Sequence, residues 1–250
     1  MADFDRSTLA ARAGTAADID QGLRAYMLKV YNYMGIGLVV TGLVAYFTYS
    51  LAFVERNGSI VGVTELGNAI YNTPLQWVVM LAPLAFVLVL SFGINKLSTG
   101  AAQILFWTFS AVMGLSLASI FAVYTSGSIA KVFFIAAAMF GGMSLYGYVT
   151  KTDLTKFGSF LIMGLWGLII ASVVNIFWPS GALGFAISIV GVVVFLGLTA
   201  WDTQRIKESY SVMAGADILA KGAIMGALNL YLDFINLFLM LLRLFGNQRS

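Results

Sequence analysis

The chain has 250 residues, of which 60% are hydrophobic and 10% charged, with a net charge of +3, a mean hydropathy of +0.91 and a pI near 9.1. A soluble domain carries about 25% charged residues, so a water-facing globular surface is excluded. Cysteine and histidine are both absent, which excludes disulfides, thiolate chemistry, imidazole metal sites and an imidazole base, and leaves proton chemistry to carboxylates, lysines or tyrosines.

In chain order, residues 1–28 mix Asp3, Asp5, Asp18 and Asp20 with Arg6, Arg12 and Arg24 and contain no apolar core with a small-residue cleavage site. They read as a short, mobile cytoplasmic tail, neither a cleaved signal nor a mitochondrial transit peptide. Seven apolar stretches follow, at Val30–Tyr49, Pro74–Phe92, Gly100–Tyr124, Val132–Val149, Phe157–Phe177, Leu183–Trp201 and Gly222–Leu242. Each is close to the ~20 residues that cross a bilayer as a helix. The pattern predicts an all-α polytopic membrane protein, with residues 29–246 forming a single seven-helix transmembrane domain. Most connections are short, so neighbouring helices pack antiparallel. The exception is Leu51–Thr73, which holds Glu55, Arg56, Glu65 and several glycines.

Lysine and arginine set the orientation. With the amino terminus inside, the cytoplasmic set is Arg6, Arg12, Arg24, Lys29, Lys96, Lys151, Lys156, Arg205, Lys207 and Lys221, against Arg56, Lys131, Arg243 and Arg249 outside. This predicts a cytoplasmic amino terminus and an external carboxyl terminus, with a re-entrant last span as the alternative. The basic residues serve the membrane surface and predict no nucleic-acid partner. Tyr49, Tyr124, Trp178 and Trp201 lie near predicted span ends, as interfacial aromatics. Small residues at Gly37–Thr41, Ser110–Gly114–Ala118 and Gly222–Gly226 have helix-packing spacing.

Two carboxylates fall in or against the spans: Asp202 in "LTAWDTQRIK" and Asp233 in "LNLYLDFINLF". An ionised Asp at mid-helix costs about 2.5–3.5 kcal/mol on insertion scales. Each is therefore neutral, paired or hydrated. Residues three or four apart share a helix face, which groups Gly222, Gly226, Asn229, Asp233, Asn236, Met240 and Arg243 into one polar or small stripe on the last helix. A weaker stripe joins Ser188, Gly191, Phe195, Thr199, Asp202 and then Arg205 or Ile206. If the helices pair, the carboxylates share a proton and form a pH-sensitive cation site. Calcium fits such a site, because it takes carboxylate and neutral oxygens, and Asn229, Asn236 and Thr199 are the supporting candidates. Other readings stay open. Asp202 could bridge to Arg205 or sit in headgroup water, and Asp233 could bond to Asn175 or Tyr146. Depth is a difficulty: at 1.5 Å per residue, Asp233 lies roughly 16 Å beyond Gly222, whereas Asp202 lies near the surface. They meet only if the last helix begins outside the bilayer or a deep vestibule admits water.

The motifs "LTAWDTQRIK" and "LNLYLDFINLFLMLLRLFG", with the entry "LRAYMLKVYNYM" and the seven-span plan, resemble the Bax inhibitor-1-like family, in particular its bacterial YccA-type branch, over about residues 22–246. The resemblance implies a central carboxy-terminal helix wrapped by two three-helix layers. It also implies a pH-sensitive calcium leak channel in which Asp202 and Asp233 share a proton, no enzymatic activity, no cofactor, and a bacterial inner-membrane location. Some bacterial members associate with a membrane AAA protease, so a non-conducting scaffold that modulates such a protease is the alternative function. One departure matters: the family's basic latch on the second helix has no counterpart in "PLQWVVMLAPLAFVLVLSF". Lys96 lies beyond that stretch, and Arg205 is the alternative partner for the aspartates. An intramembrane aspartyl protease would need a GxGD pattern, which neither Asp202 nor Asp233 has. A retinal protein would need a mid-membrane lysine on the last helix, and Lys221 is too near its end.

Overall fold

The computed structural model describes residues 2–56, 59–211 and 215–249, with side chains from residue 20 onward. In chain order it contains α1 (Ala2–Ala52), a small antiparallel hairpin of β1 (Phe53–Arg56) and β2 (Ser59–Val63), α2 (Glu65–Tyr71), α3 (Leu75–Gly93), α4 (Thr99–Leu117), α5 (Ser119–Val123), α6 (Ser126–Val149), α7 (Thr155–Phe177), α8 (Gly181–Glu208) and α9 (Ala216–Phe245). Among the described residues, seven helical segments are long and apolar enough to span a membrane. Their starts follow local capping chemistry: the hydroxyls of Ser98, Thr125 and Ser180 accept from Ala101, Ser128 and Leu183 N–H groups at the heads of α4, α6 and α8.

The long connection after the first span is not structureless. Phe53 pairs with Val63 and Arg56 with Ser59, with a register shift between Val54 and Glu55. Thr64 then caps α2 through the Gly67 N–H, 3.1 Å away. Asn57 and Gly58, whose dipeptide is a strong hairpin signal in sequence, lie outside the described residues.

The helices form two groups around α9. One comprises α1, α3 and α4; the other comprises α6, α7 and α8. The last helix packs against α8, α1, α6 and α4. Across the membrane-spanning window of α9, 72% of residues are buried, against 11–33% for the other six spans. The hydrophobic core accordingly follows α9, through Ile224, Leu228, Leu230, Tyr231, Leu237 and Leu242. This is the predicted plan of a central carboxy-terminal helix wrapped by two three-helix layers. Outer faces carry exposed apolar side chains such as Phe92, Trp166 and Ile176, whereas Thr41, Ser110, Ser144, Thr203 and Gln204 are buried. Burial is inverted relative to a soluble protein because lipid already solvates the apolar faces, leaving close backbone packing and interhelical hydrogen bonds to hold helices together.

The small-residue motifs are helix contacts. A Cβ on Gly114 would strike the Thr41 carbonyl, and one on Gly37 would press on Phe106 and Ser110. Thr41 donates to the Ser110 carbonyl at 2.8 Å, or bonds the Tyr231 hydroxyl at 2.6 Å, tying α1 to α4 and α9. Gly147 and Gly158 are tighter still, lying against the Ala200 backbone and the Trp201 ring.

Helix ends depart from the apolar boundaries. The sixth span continues past Trp201 to Glu208 and the seventh begins at Ala216. Trp201 is therefore inside a helix, packed on Gly158, and not at a span end. The amino end of α1 packs from Leu23 onward, with Tyr26 and Met27 buried. At the opposite end of the bundle, Arg249 N–H bonds the Val123 carbonyl at 2.9 Å and the Arg249 guanidinium lies 3.2 Å from Glu55. The carboxyl terminus thus shares an end with the β1–β2 hairpin. The last helix crosses the bundle, and the re-entrant alternative does not hold.

Candidate functional site at the Asp202 and Asp233 pair

Two close approaches set the α8–α9 register. Gly226 lies against the Ile206 side chain, and Gly191 lies under Met240. With 206 opposite 226 and 191 opposite 240, position 202 faces roughly position 230. Asp233 is then about one helical turn away, within reach of a side chain. The first turns of α9 run beyond the end of α8, which removes the depth difficulty: the last helix begins ahead of its neighbour.

Asp202 and Asp233 are both buried and their carboxyl groups lie close enough to interact. An ionised carboxylate only accepts, so two facing carboxyl groups bond each other only when one of them carries a proton. Asp233 Oδ2 is buried without any hydrogen-bond partner. A fixed anion would be expensive in that position. The pair is arranged to hold a proton or to meet a cation.

The pair lines a cavity of about 850 Å³ between the two helix layers. Asn229, Asn236 and Arg205 border it, and side chains from α3, α4 and α7 complete the wall, all apolar except Ser116 and Ser172. The Asn236 amide nitrogen donates to the Leu232 carbonyl at 2.8 Å, which leaves its Oδ1 as an acceptor. Arg205 is exposed, acts on Asp202 through space, and stacks over Trp201 with its guanidinium carbon 5.4 Å from the ring centroid. Helix α3 contributes Met80, Pro83, Leu84 and Val87 and no cation. Arg205 is therefore the basic group on this cavity.

Thr199 does not join the site. Its hydroxyl donates to the Phe195 carbonyl at 2.7 Å inside α8, and the residue does not border the cavity. Asn175 instead accepts from the Ser180 N–H and borders a second, outer pocket of about 510 Å³ with Ser188, Arg243 and Gln248. Tyr146 is exposed. Neither alternative partner reaches Asp233. Among the described residues, no group of three or more His, Cys, Asp or Glu side chains is placed to hold a metal ion.

Sequence reasoning missed Gln204 and Thr203, beside Asp202. Gln204 accepts from the Leu154 N–H and donates to the Thr152 carbonyl, both at 2.8 Å, locking the α6–α7 turn onto α8. Thr203 bonds Ser144 at 3.0 Å, and Ser144 bonds Tyr31 at 2.6 Å. Their polarity within a buried face was the available signal.

The family profile described as "Inhibitor of apoptosis-promoting Bax1" matches residues 23–250. The chain is 48% identical over 230 residues to "Inner membrane protein YbhL" of Escherichia coli, covering 91% of this chain and 94% of that one. It is 47% identical over 231 residues to "Uncharacterized protein RP147" of Rickettsia prowazekii, covering 92% and 93%. A protein of Caulobacter vibrioides is 46% identical over the full length of both chains. With a seven-span bundle, a central last helix and a profile match over nearly its whole length, this chain is a member of the Bax inhibitor-1 family.

Proposed function

We propose that the protein is a pH-sensitive cation leak of a bacterial inner membrane, preferring calcium and not an enzyme, whose path is bordered by Asp202 and Asp233. One observation carries this reading: two buried carboxyl groups from adjacent helices lie close enough to interact on the wall of a cavity between the helix layers. With a shared proton the pair bonds to itself. Without it, two like charges face each other and draw in a hard cation, for which Asn229 and the Asn236 Oδ1 supply neutral oxygens. Arg205 is the internal competitor for Asp202. The ten-against-four lysine and arginine distribution supports an amino-terminal end in the cytoplasm, and the name of the Escherichia coli relative supports the inner membrane. Calcium entry into liposomes containing the full chain tests the reading: Asp202→Asn with Asp233→Asn should abolish entry, and unchanged entry removes the mechanism.

A second reading, a non-conducting scaffold modulating a membrane AAA protease, is favoured by the length of α1. It has 51 residues where about 20 suffice to span a bilayer. Deleting residues 1–21 separates the two, since loss of a co-purifying protease with calcium entry intact supports the scaffold.

A further inference from the structure

The two helix layers leave gaps on both sides of α9. One is the acidic cavity. The other is a groove of about 760 Å³ between α1 and α6, floored by Met34, Phe140 and Phe234. Gly35 and Gly141 border it from opposite sides, and a Cβ on either would meet nothing within 4 Å. The hollow therefore owes its width to two missing side chains. Leu28 and Leu145 on its rim are exposed, which opens the groove to the bilayer.

Its chemistry changes at one end. From Leu38 to Met27 the α1 side of the lining is apolar apart from the hydroxyl of Tyr31, which bonds Ser144. Arg24 then closes the lining as an exposed cation with no carboxylate partner among the described residues. Tyr148 borders the same groove, and the Lys207 ammonium sits on it, 2.7 Å from the Tyr148 carbonyl and 5.2 Å from its ring centroid. Two cations thus stand at the end of a long apolar channel. Residues 24 to 38 span roughly 21 Å of helix, a little more than one leaflet of a ~30 Å hydrocarbon layer.

We propose that this groove binds an anionic phospholipid from the leaflet at the amino-terminal end of the bundle. One acyl chain lies along Gly35 and Gly141, and the headgroup phosphate lies at Arg24 beside Lys207. Basic pockets between transmembrane helices select anionic headgroups in this way, and the Arg24 guanidinium, without a carboxylate partner among the described residues, suits a phosphate through bidentate hydrogen bonds. A neutral lipid would fill the same channel and leave both cations without a counter-charge. The site is independent of the acidic cavity, which lies on the other flank of α9.

Native mass spectrometry of the full chain, released from detergent containing phosphatidylglycerol or phosphatidylcholine with identical acyl chains, tests this. Phosphatidylglycerol adducts should exceed phosphatidylcholine adducts roughly fivefold. Arg24→Gln should remove that preference, and Gly141→Leu, which fills open space, should lower retention of both lipids. Lys29→Gln, on another face of α1, should change neither. Free glycerol phosphate should not compete. Equal retention of the two lipids by the unaltered protein, a Lys29→Gln effect as large as that of Arg24→Gln, wild-type retention in Gly141→Leu protein with unchanged melting, or displacement by glycerol phosphate would each overturn the proposal.

Discussion

Ile206 of α8 lies against Gly226 of α9, and that contact fixes the register in which Asp202 and Asp233 meet. A Cβ at position 226 would come within 3.2 Å of three Ile206 carbons. With the Met240–Gly191 contact near the other end, the two helices are pinned on both sides of the carboxyl pair. The small residues of the last-helix stripe are packing surfaces; Asn229, Asp233 and Asn236 face the cavity, whereas Arg243 borders the outer pocket.

The closest backbone approach involving α8 is elsewhere. Gly147 on α6 abuts the Ala200 carbonyl, and a methyl group there would collide with backbone, not with a flexible side chain. Gly147→Ala is therefore expected to destabilise the fold by about 1–3 kcal/mol, the usual cost of overpacking. Denaturant or thermal unfolding in detergent measures it; a neutral substitution would mean that α6 and α8 can separate freely.

Tyr231 tests the interhelical hydrogen bonds. Its hydroxyl meets Thr41 at 2.6 Å while its ring packs against Phe109. Tyr231→Phe keeps the ring and removes only the bond. The expected loss is about 0.6–1.7 kcal/mol, from the average to the maximum found for such bonds between membrane helices, with cation entry unchanged.

Arg205 is the positive group on the acidic cavity. Arg205→Gln removes the competitor for the ionised Asp202 carboxylate and is expected to raise calcium entry several-fold at a fixed pH. Entry rates in liposomes measure this, and a fall would mean that the guanidinium assists permeation.

At the far end, the Tyr49 hydroxyl donates to Glu55 at 2.7 Å and the Arg249 guanidinium pairs with it. These two partners hold the Glu55 carboxyl below its ordinary value of 4.5. A depressed acid contributes stability that is complete above its unfolded value and is lost as pH falls through the lower folded value. The carboxy-terminal clasp should therefore survive to a pH below 4.5 and then release. Protection of the Arg249 N–H, taken relative to the intrinsic exchange rate at each pH, reads this, and Glu55→Gln should lower that protection and remove its dependence on acid.

The seven spans were legible because a bilayer demands apolar length. The carboxylate pair was legible because its burial contradicts that demand. Helix ends were not, since "WDTQRIKE" and the first turns of α9 remain helical outside any apolar stretch, and hydropathy cannot see a helix that leaves lipid. That blindness created the depth difficulty for Asp233. The hairpin around Glu55 escaped because its sequence signal is the Asn-Gly dipeptide at 57–58 with β-branched Val54, Ile60, Val61 and Val63, not apolar length. Thr199 shows a further limit: helix periodicity places a residue on a face, but the hydroxyl bonded its own backbone instead of the cavity.

Calcium entry into liposomes carrying the full-length protein, followed from about pH 5 to about pH 8, tests the central claim most directly. Entry should rise with pH as the shared proton leaves, and become low and flat in the Asp202→Asn, Asp233→Asn double variant. Equal entry in the double variant and the unaltered protein, with the same pH profile, would contradict the account.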